Sequence, residues 1–160
     1  MISRNDTNML IRIPETDYTA FEIDIKRVTL LSYEEAEMLP KEMRKSDSWW
    51  WLQTPGLSEN EVFCVSKVGL IARANIDNNK GFVRPAIKFD TDNSNLVIGD
   101  VFCFASIKFE VISEDTAFCL TNIGQNIFDQ FTNHFRDSEI QNVLHNWYYD
   151  ALAAPNIDFI

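Results

Sequence analysis

The chain has 160 residues, of which 46% are hydrophobic, and it carries 24 acidic against 14 basic side chains, a formal net charge of −10. This length and composition predict one domain, residues 1–160, with a sizeable packed core. The charge argues against direct binding of nucleic acid, and without a run of eighteen apolar residues nothing is expected to span a membrane.

The first 48 residues predict two strands and a short helix. A strand is expected over residues 9–13, and apolar and charged residues then alternate over residues 21–31, which is typical of a half-buried strand. Ser32 and Glu35 have the spacing of a capping box, which predicts a helix over residues 33–39. Residues 41–48 are expected to form a polar connector to the tryptophans that follow.

Three of the four tryptophans follow, as Trp49, Trp50 and Trp51. Successive side chains of a strand point to opposite faces, so packed structure must cover this strand on both sides, and each indole N–H needs an acceptor. Residues 54–56, Thr-Pro-Gly, are expected to end the strand as a turn in which Gly56 is free to take a positive φ.

Short strands and turns are expected over the following forty residues. Residues 61–65 and 70–74 predict a hairpin that turns at Gly69. Residues 82–84 predict a strand ended by a proline, and residues 90–95 a polar linker.

The last third predicts three strands, over residues 97–104, 108–112 and 117–120, followed by a helix over residues 138–152 that Asp137 or Ser138 caps. Within this helix, residues spaced i, i+3, i+4 and i+7 form an apolar stripe that should face the core: Ile140, Val143, Leu144 and Trp147.

Two stretches carry a resemblance to a known family: Trp50-Trp51-Leu52 with Pro55-Gly56, and Gly81 with Val83-Arg84-Pro85-Ala86. They resemble the signature Trp-Trp-Leu-Arg-Ser-Pro-Gly … Gly-Val-Arg-Pro-Ala of a bacterial, phage and mobile-element domain family of unknown function. Gln53 stands where that signature has Arg. The resemblance implies an α+β fold similar to C-type lectins and formylglycine-generating enzymes, with twisted antiparallel sheets and two main helices. Fold similarity by itself implies no activity.

A second resemblance covers the latter part of the chain. In longer family members a Gly-Asp strand pair and a helix precede the Trp-Trp stretch, whereas here Gly99-Asp100 and the helix at 138–152 follow it. The segment order therefore resembles a permuted family member, as in short mobile-element proteins. The resemblance implies two halves of one core, residues 28–95 and 96–160.

The chemistry of the sequence favours structural roles. Arg84, in an apolar strand, is expected to be buried and therefore held in an ion pair or against a carbonyl. Three widely spaced cysteines predict reduced, buried thiols. His134 and His145 are eleven residues apart without Cys ligands nearby, so neither a metal site nor a cofactor is expected.

Three functions remain open from the sequence. The first is a non-catalytic protein-binding module of a phage or mobile element, with loops around Trp49 and Gln53 as the contact surface. The second is an acidic inhibitor that occupies the nucleic-acid groove of a host defence nuclease, of the anti-CRISPR or anti-restriction type. The third is an enzyme with an unrecognised site. Residues 81–160 hold eleven acidic and four basic side chains, so the acidic face of the second function is expected to include Asp129, Asp137, Glu139 and Asp150.

The N-terminus lacks an apolar signal core, which predicts a cytoplasmic location.

Overall fold

The computed structural model of this chain describes residues 10–14, 20–91 and 95–153, and the side-chain environments over residues 25–91 and 95–152. Its described residues form an α+β structure with two antiparallel sheets and three α-helices. The strands are β1 (Leu10–Pro14), β2 (Ala20–Thr29), β3 (Trp50–Pro55), β4 (Glu61–Val65), β5 (Ile71–Asn75), β6 (Ala86–Phe89), β7 (Val101–Phe104), β8 (Ile107–Ser113) and β9 (Thr116–Cys119). The helices are α1 (Tyr33–Met38), α2 (Lys41–Arg44) and α3 (Glu139–Ala153). The described helices include none long and apolar enough to cross a bilayer.

The chain groups into two compact units that interleave along the sequence. The first takes its described residues from 1–28, 86–120 and 147–160, and the second from 29–85 and 121–146. The expectation of one domain with halves 28–95 and 96–160 stays a prediction.

The first unit contains a six-stranded sheet in the order β1-β2-β6-β9-β8-β7. Its two outer strands, β1 and β7, approach each other, so the sheet curls. Aromatic rings fill this unit: Phe102 stacks on Phe109 with centroids 5.9 Å apart, and Phe104 meets Trp147 edge-on at 5.6 Å. The end of α3 is thereby fixed by aromatic packing.

The second unit is built on a three-stranded sheet in the order β3-β4-β5. The predicted hairpin of β4 and β5 is confirmed and turns at Gly69, where the structure has a φ of 92° that favours glycine. Helix α1 lies where the capping box predicted it: Ser32 Oγ accepts from the backbone N–H of Glu35, and Glu35 Oε1 accepts from that of Ser32. Tyr33 packs edge-on against Phe63 of β4 at 4.8 Å.

The helix predicted at 138–152 is α3. Ser138 is its cap, since Ser138 Oγ accepts from the N–H of Gln141 at 3.2 Å. Ile140 and Leu144 of the predicted stripe are fully buried, Val143 and Trp147 are half-buried, and Tyr148 joins them.

The polar connector expected at residues 41–48 contains the short helix α2. The expectations for residues 54–56 were wrong. Strand β3 continues through Pro55 instead of turning at 54–56, and a register shift in its pairing with β4 lies between Trp51 and Pro55. Gly56 does not take a positive φ; a Cβ there would lie 2.8 Å from Glu61 Cβ, so close approach requires the glycine.

The strand expected at 82–84 was also wrong. The backbone of Val83 bonds instead to the loop at Ile123 and Gly124, and Phe82 makes only single bridges, to Trp50 and Gln125. The strand β6 begins after Pro85. Likewise β7 begins at Val101 rather than at residue 97, because a turn at Gly99, with φ 100°, precedes it. Residues 92–94 of the expected linker lie outside the described residues.

Candidate functional site

The tryptophan stretch is covered on both sides. Trp50 and Trp51 have no exposed surface. Each indole has a backbone acceptor: Trp50 Nε1 donates to the carbonyl of Arg44 at 2.9 Å, and Trp51 Nε1 to that of Asn126 at 2.8 Å. Phe128 packs against Trp51 with ring centroids 5.6 Å apart. The expectation of two-sided cover and satisfied indole N–H groups is therefore confirmed for these two rings.

Gly81 is the position on which the half-buried indole of Trp49 and the fully buried indole of Trp51 converge. A Cβ at this residue would lie 2.6 Å from Trp51 Nε1 and 2.7 Å from the ring of Trp49. The backbone around it also pairs with β3, since Trp51 N–H donates to Phe82 O and Phe82 N–H to Trp49 O. The glycine thus lets residues 81–82 lie directly against the aromatic strand.

Arg84 is 2% exposed. Its guanidinium carbon lies 4.6 Å from the centroid of the Trp50 ring, and its Nη1 and Nη2 both donate to the carbonyl of Met43 at 3.4 Å. Stacking on an indole and holding a carbonyl are interactions for which a planar guanidinium is suited. In this arrangement Arg84 ties the end of α2 to β3.

Gln53 makes internal contacts. Its Nε2 donates to Leu30 O at 2.7 Å and to Thr29 Oγ1 at 3.3 Å. The neighbouring Thr54 Oγ1 accepts from the N–H of Tyr33, at the start of α1. Trp49 and Gln53 are the two candidate partner-binding residues of this stretch. The amide of Gln53 holds the residues before α1 in place.

A groove lies on one face of the three-stranded sheet, with a volume of about 450 Å³. Its floor consists of Cys64, Ala72 and Ala74, because the pairings Cys64–Ala72 and Val62–Ala74 place these residues on the same face. Half-buried Trp49 forms one wall and packs edge-on against Trp51 at 4.8 Å. We call this surface the Trp49 groove.

The rim of the Trp49 groove is basic. Lys67 and Arg73 line it, both exposed, and no acidic side chain of the described residues does. In a chain with net charge −10 this local sign is unusual. The groove can therefore receive an apolar side chain against its floor and indole wall. A carboxylate beside that side chain could pair with the two cations of the rim.

The four predicted acidic residues differ in their contacts. Asp129 accepts from the backbone N–H groups of Phe131 and Thr132 through Oδ2 and from that of Glu139 through Oδ1, at 2.8–2.9 Å. Burial raises the pKa of Asp129, but these bonds outweigh it, and the pKa lies below its usual value. Its carboxylate therefore holds the start of α3.

The other three acids, Asp137, Glu139 and Asp150, are exposed. Glu139 Oε2 also accepts from Asn126 Nδ2 at 3.2 Å. Asp137 and Glu139 belong to the second unit and Asp150 to the first.

The cysteines are all free, in different surroundings. Cys64 and Cys119 are buried, but Cys103 is exposed, so the expectation of three buried thiols was wrong at this position. Cys103 lies on β7, whose neighbouring residues Phe102 and Phe104 take the inner face. Burial raises the pKa of Cys64 to about 12, which keeps the thiol protonated at the groove floor.

No group of three or more potential metal ligands occurs within residues 25–91 and 95–152. His134 is exposed, and the exposed His145 contacts Gln141 at 3.2 Å.

Sequence reasoning named only Trp49 among the residues of the groove. The floor and rim were missed because each is an ordinary strand residue. The signal that could have found them is the run of small side chains at Cys64, Ala72 and Ala74 within the predicted hairpin, since small residues on one face of a sheet beside an indole leave an unfilled hollow.

The fold and site together define a mixed α+β protein with a structural tryptophan cluster and a shallow surface groove. Residues 11–91, half of the chain, match the family described as Domain of unknown function (DUF6273), and the chain belongs to this family. The searches of curated proteins and of solved structures gave no match. Asn126 and Phe128, which cover Trp51, lie beyond the matched residues.

Proposed function

We propose that this protein is a non-catalytic protein-binding module and that the Trp49 groove is its contact surface. The observation that carries the proposal is the groove itself: a hollow of about 450 Å³ with an apolar floor, an indole wall and a basic rim. Concave apolar surfaces with a few placed polar groups are the usual sites of recognition, and half-buried tryptophan is enriched where proteins bind each other.

The rigidity of the surrounding structure supports this role. Trp49 is held by Trp51, which is itself fully buried and hydrogen-bonded to Asn126. The wall of the groove is therefore fixed before any partner arrives, which lowers the ordering cost of binding.

The proposal has three finer parts. We propose a C-type-lectin-like arrangement, which the two antiparallel sheets and the helices α1 and α3 support. We propose origin in a phage or mobile element, which rests on the signature around Trp50 and Arg84. We also propose action in the cytoplasm, which the free thiols of Cys64, Cys103 and Cys119 support, since a reducing compartment keeps cysteines unpaired.

The test is selection from a random peptide library displayed on phage, with the immobilised full chain as target. We expect peptides to be enriched that lose at least tenfold in affinity to Ala72→Gln, since the longer side chain occupies the groove floor. Cys103→Gln is the matched control, because it also enlarges an exposed small residue on a strand of the other sheet. No enrichment, or equal losses in both variants, would refute the proposal.

A second candidate function, the acidic inhibitor of a host nuclease, is favoured by the exposure of Asp137, Glu139 and Asp150. Such acids would steer a basic partner, and the association would slow as salt rises because screening shortens to about 8 Å at physiological ionic strength. Binding to a purified CRISPR or restriction nuclease that is lost in the triple change of these acids to Lys would support it. Binding that survives the triple change would exclude it.

A further inference from the structure

We infer that the partner of the Trp49 groove is an extended acidic peptide segment that adds to the sheet as a fourth strand along β5. This inference rests on the proposed function and specifies its ligand. The segment would add at the outer edge of β5, which is the last strand of the order β3-β4-β5.

The hydrogen-bond pattern fixes which backbone groups of β5 face outward. Ser66 N–H donates to Leu70 O, and Ile76 N–H donates to Asn60 O. In an antiparallel ladder the hydrogen-bonded pairs alternate, so residues 70, 72, 74 and 76 face β4. The N–H and C=O groups of Ile71 and Arg73 therefore point away from the sheet.

These outward groups remain available. Within residues 25–91 and 95–152, the hydrogen bonds of the structure include none to the backbone of Ile71 or Arg73. Ala72, Arg73 and Asn75 are exposed. Such an edge is a template for another strand, which gains main-chain hydrogen bonds without regard to sequence.

The groove then supplies side-chain selectivity. A strand added to β5 continues the sheet about 4.8 Å further out, and its alternate side chains fall on the same face as Ala72 and Ala74. Because those residues and Cys64 are small, a large apolar side chain of the added strand has room to lie over them. Trp49, the residue before β3, forms one wall of the hollow.

Charge selects the remaining positions. Lys67 and Arg73 line the groove without an acidic neighbour among its described lining residues, so carboxylates on the added strand gain cationic partners. The occupant is thus an extended segment in which acidic and large apolar residues alternate.

A nucleic-acid strand fits these groups less well. Two cations and an indole could contact a phosphate and a base, but a nucleic-acid strand carries a negative charge on every nucleotide, so a chain with net charge −10 repels it more strongly than a peptide whose few carboxylates lie beside Lys67 and Arg73. The row of alternating N–H and C=O groups on β5 also matches a peptide backbone and not a phosphate backbone.

The experiment uses the peptides selected on the full chain. Each is synthesised with single N-methyl groups along its length, and affinity is measured by isothermal titration. We expect losses of about tenfold or more at every second residue only, since one N–H in two faces β5. A helical or irregular ligand would give no two-residue period, and that result would overturn the inference while the proposed function stands.

A matched pair of double variants tests whether Lys67 and Arg73 contribute to binding. Lys67→Glu with Arg73→Glu should weaken binding at least about tenfold, whereas Lys108→Glu with Arg136→Glu, an equal charge change at exposed bases outside the groove, should weaken it less than about threefold. Equal losses would remove the role of the rim. An oligothymidylate that binds more tightly than the peptides, and competes with them, would replace the peptide by a nucleic-acid ligand.

Discussion

Gly81→Ala tests how tightly residues 81–82 lie against the tryptophan strand. The added methyl group would stand 2.6 Å from Trp51 Nε1 and 2.7 Å from the Trp49 ring. The Trp51 ring has no room to retreat, because it is fully buried and bonded to Asn126 at 2.8 Å. Overpacking of this kind costs about 1–3 kcal/mol, and a broken buried hydrogen bond adds about 1–3 kcal/mol.

We therefore expect Gly81→Ala to lower the free energy of unfolding by about 2–6 kcal/mol. The assay is urea unfolding followed by tryptophan fluorescence. Gly99→Ala is the control, since a Cβ there meets no atom within 4 Å and only its φ of 100° opposes the change, at a cost of about 1–2 kcal/mol.

A double-mutant cycle separates the two contacts of Gly81. In the Trp49→Ala background the loss caused by Gly81→Ala should be smaller by about 1 kcal/mol or more, because one of the two opposing rings is gone. A Gly81→Ala protein within 0.5 kcal/mol of the wild type would refute the steric reasoning.

Three further predictions concern Arg84, the thiols and Asp129. Arg84→Ala should cost about 3 kcal/mol in denaturant unfolding and Arg84→Met clearly less, because Met keeps the contact with the indole; equal losses would contradict a packing role. In the native protein a thiol reagent should modify Cys103 rapidly and should leave Cys64 unmodified until the protein unfolds. Mass spectrometry of the labelled peptides measures both reactions. Early labelling of Cys64 would contradict its burial. The folded-state pKa of Asp129 lies below its unfolded value, so the stability that its carboxylate contributes is present above about pH 4 and is lost as the pH falls through the folded pKa. Asp129→Asn should therefore lose less stability than the wild type between pH 5 and pH 3. Equal losses of stability in the two proteins would contradict this prediction.

Local rules recovered much of the second unit from the sequence. The capping box of Ser32 and Glu35 placed α1, and the hairpin predicted over residues 61–65 and 70–74 placed β4 at its observed bounds. The need of each indole N–H for an acceptor was also foreseen for Trp50 and Trp51. These features depend on neighbours in sequence or on the chemistry of one side chain, so a single sequence is sufficient to predict them.

What the sequence could not supply depends on contacts between distant segments. Pro85 was expected to end a strand, but the strand begins after it, because Val83 bonds to the loop at Gly124 forty residues away. From the sequence, Gly56 was attributed to backbone freedom, whereas the structure shows that a side chain at this position would be too close to Glu61. The Trp49 groove likewise depends on how the register of β4 and β5 brings Cys64, Ala72 and Ala74 to one face beside Trp49.

The most direct test of the groove as a contact surface is a ¹⁵N-resolved NMR titration of the full chain with a peptide selected on it. We expect the largest shifts on the backbone amides of residues 71–75 and on the indole N–H of Trp49, with Trp50 and Trp51 little changed. Shifts centred on Asp137 and Glu139, with the amides of 71–75 unmoved, would contradict it.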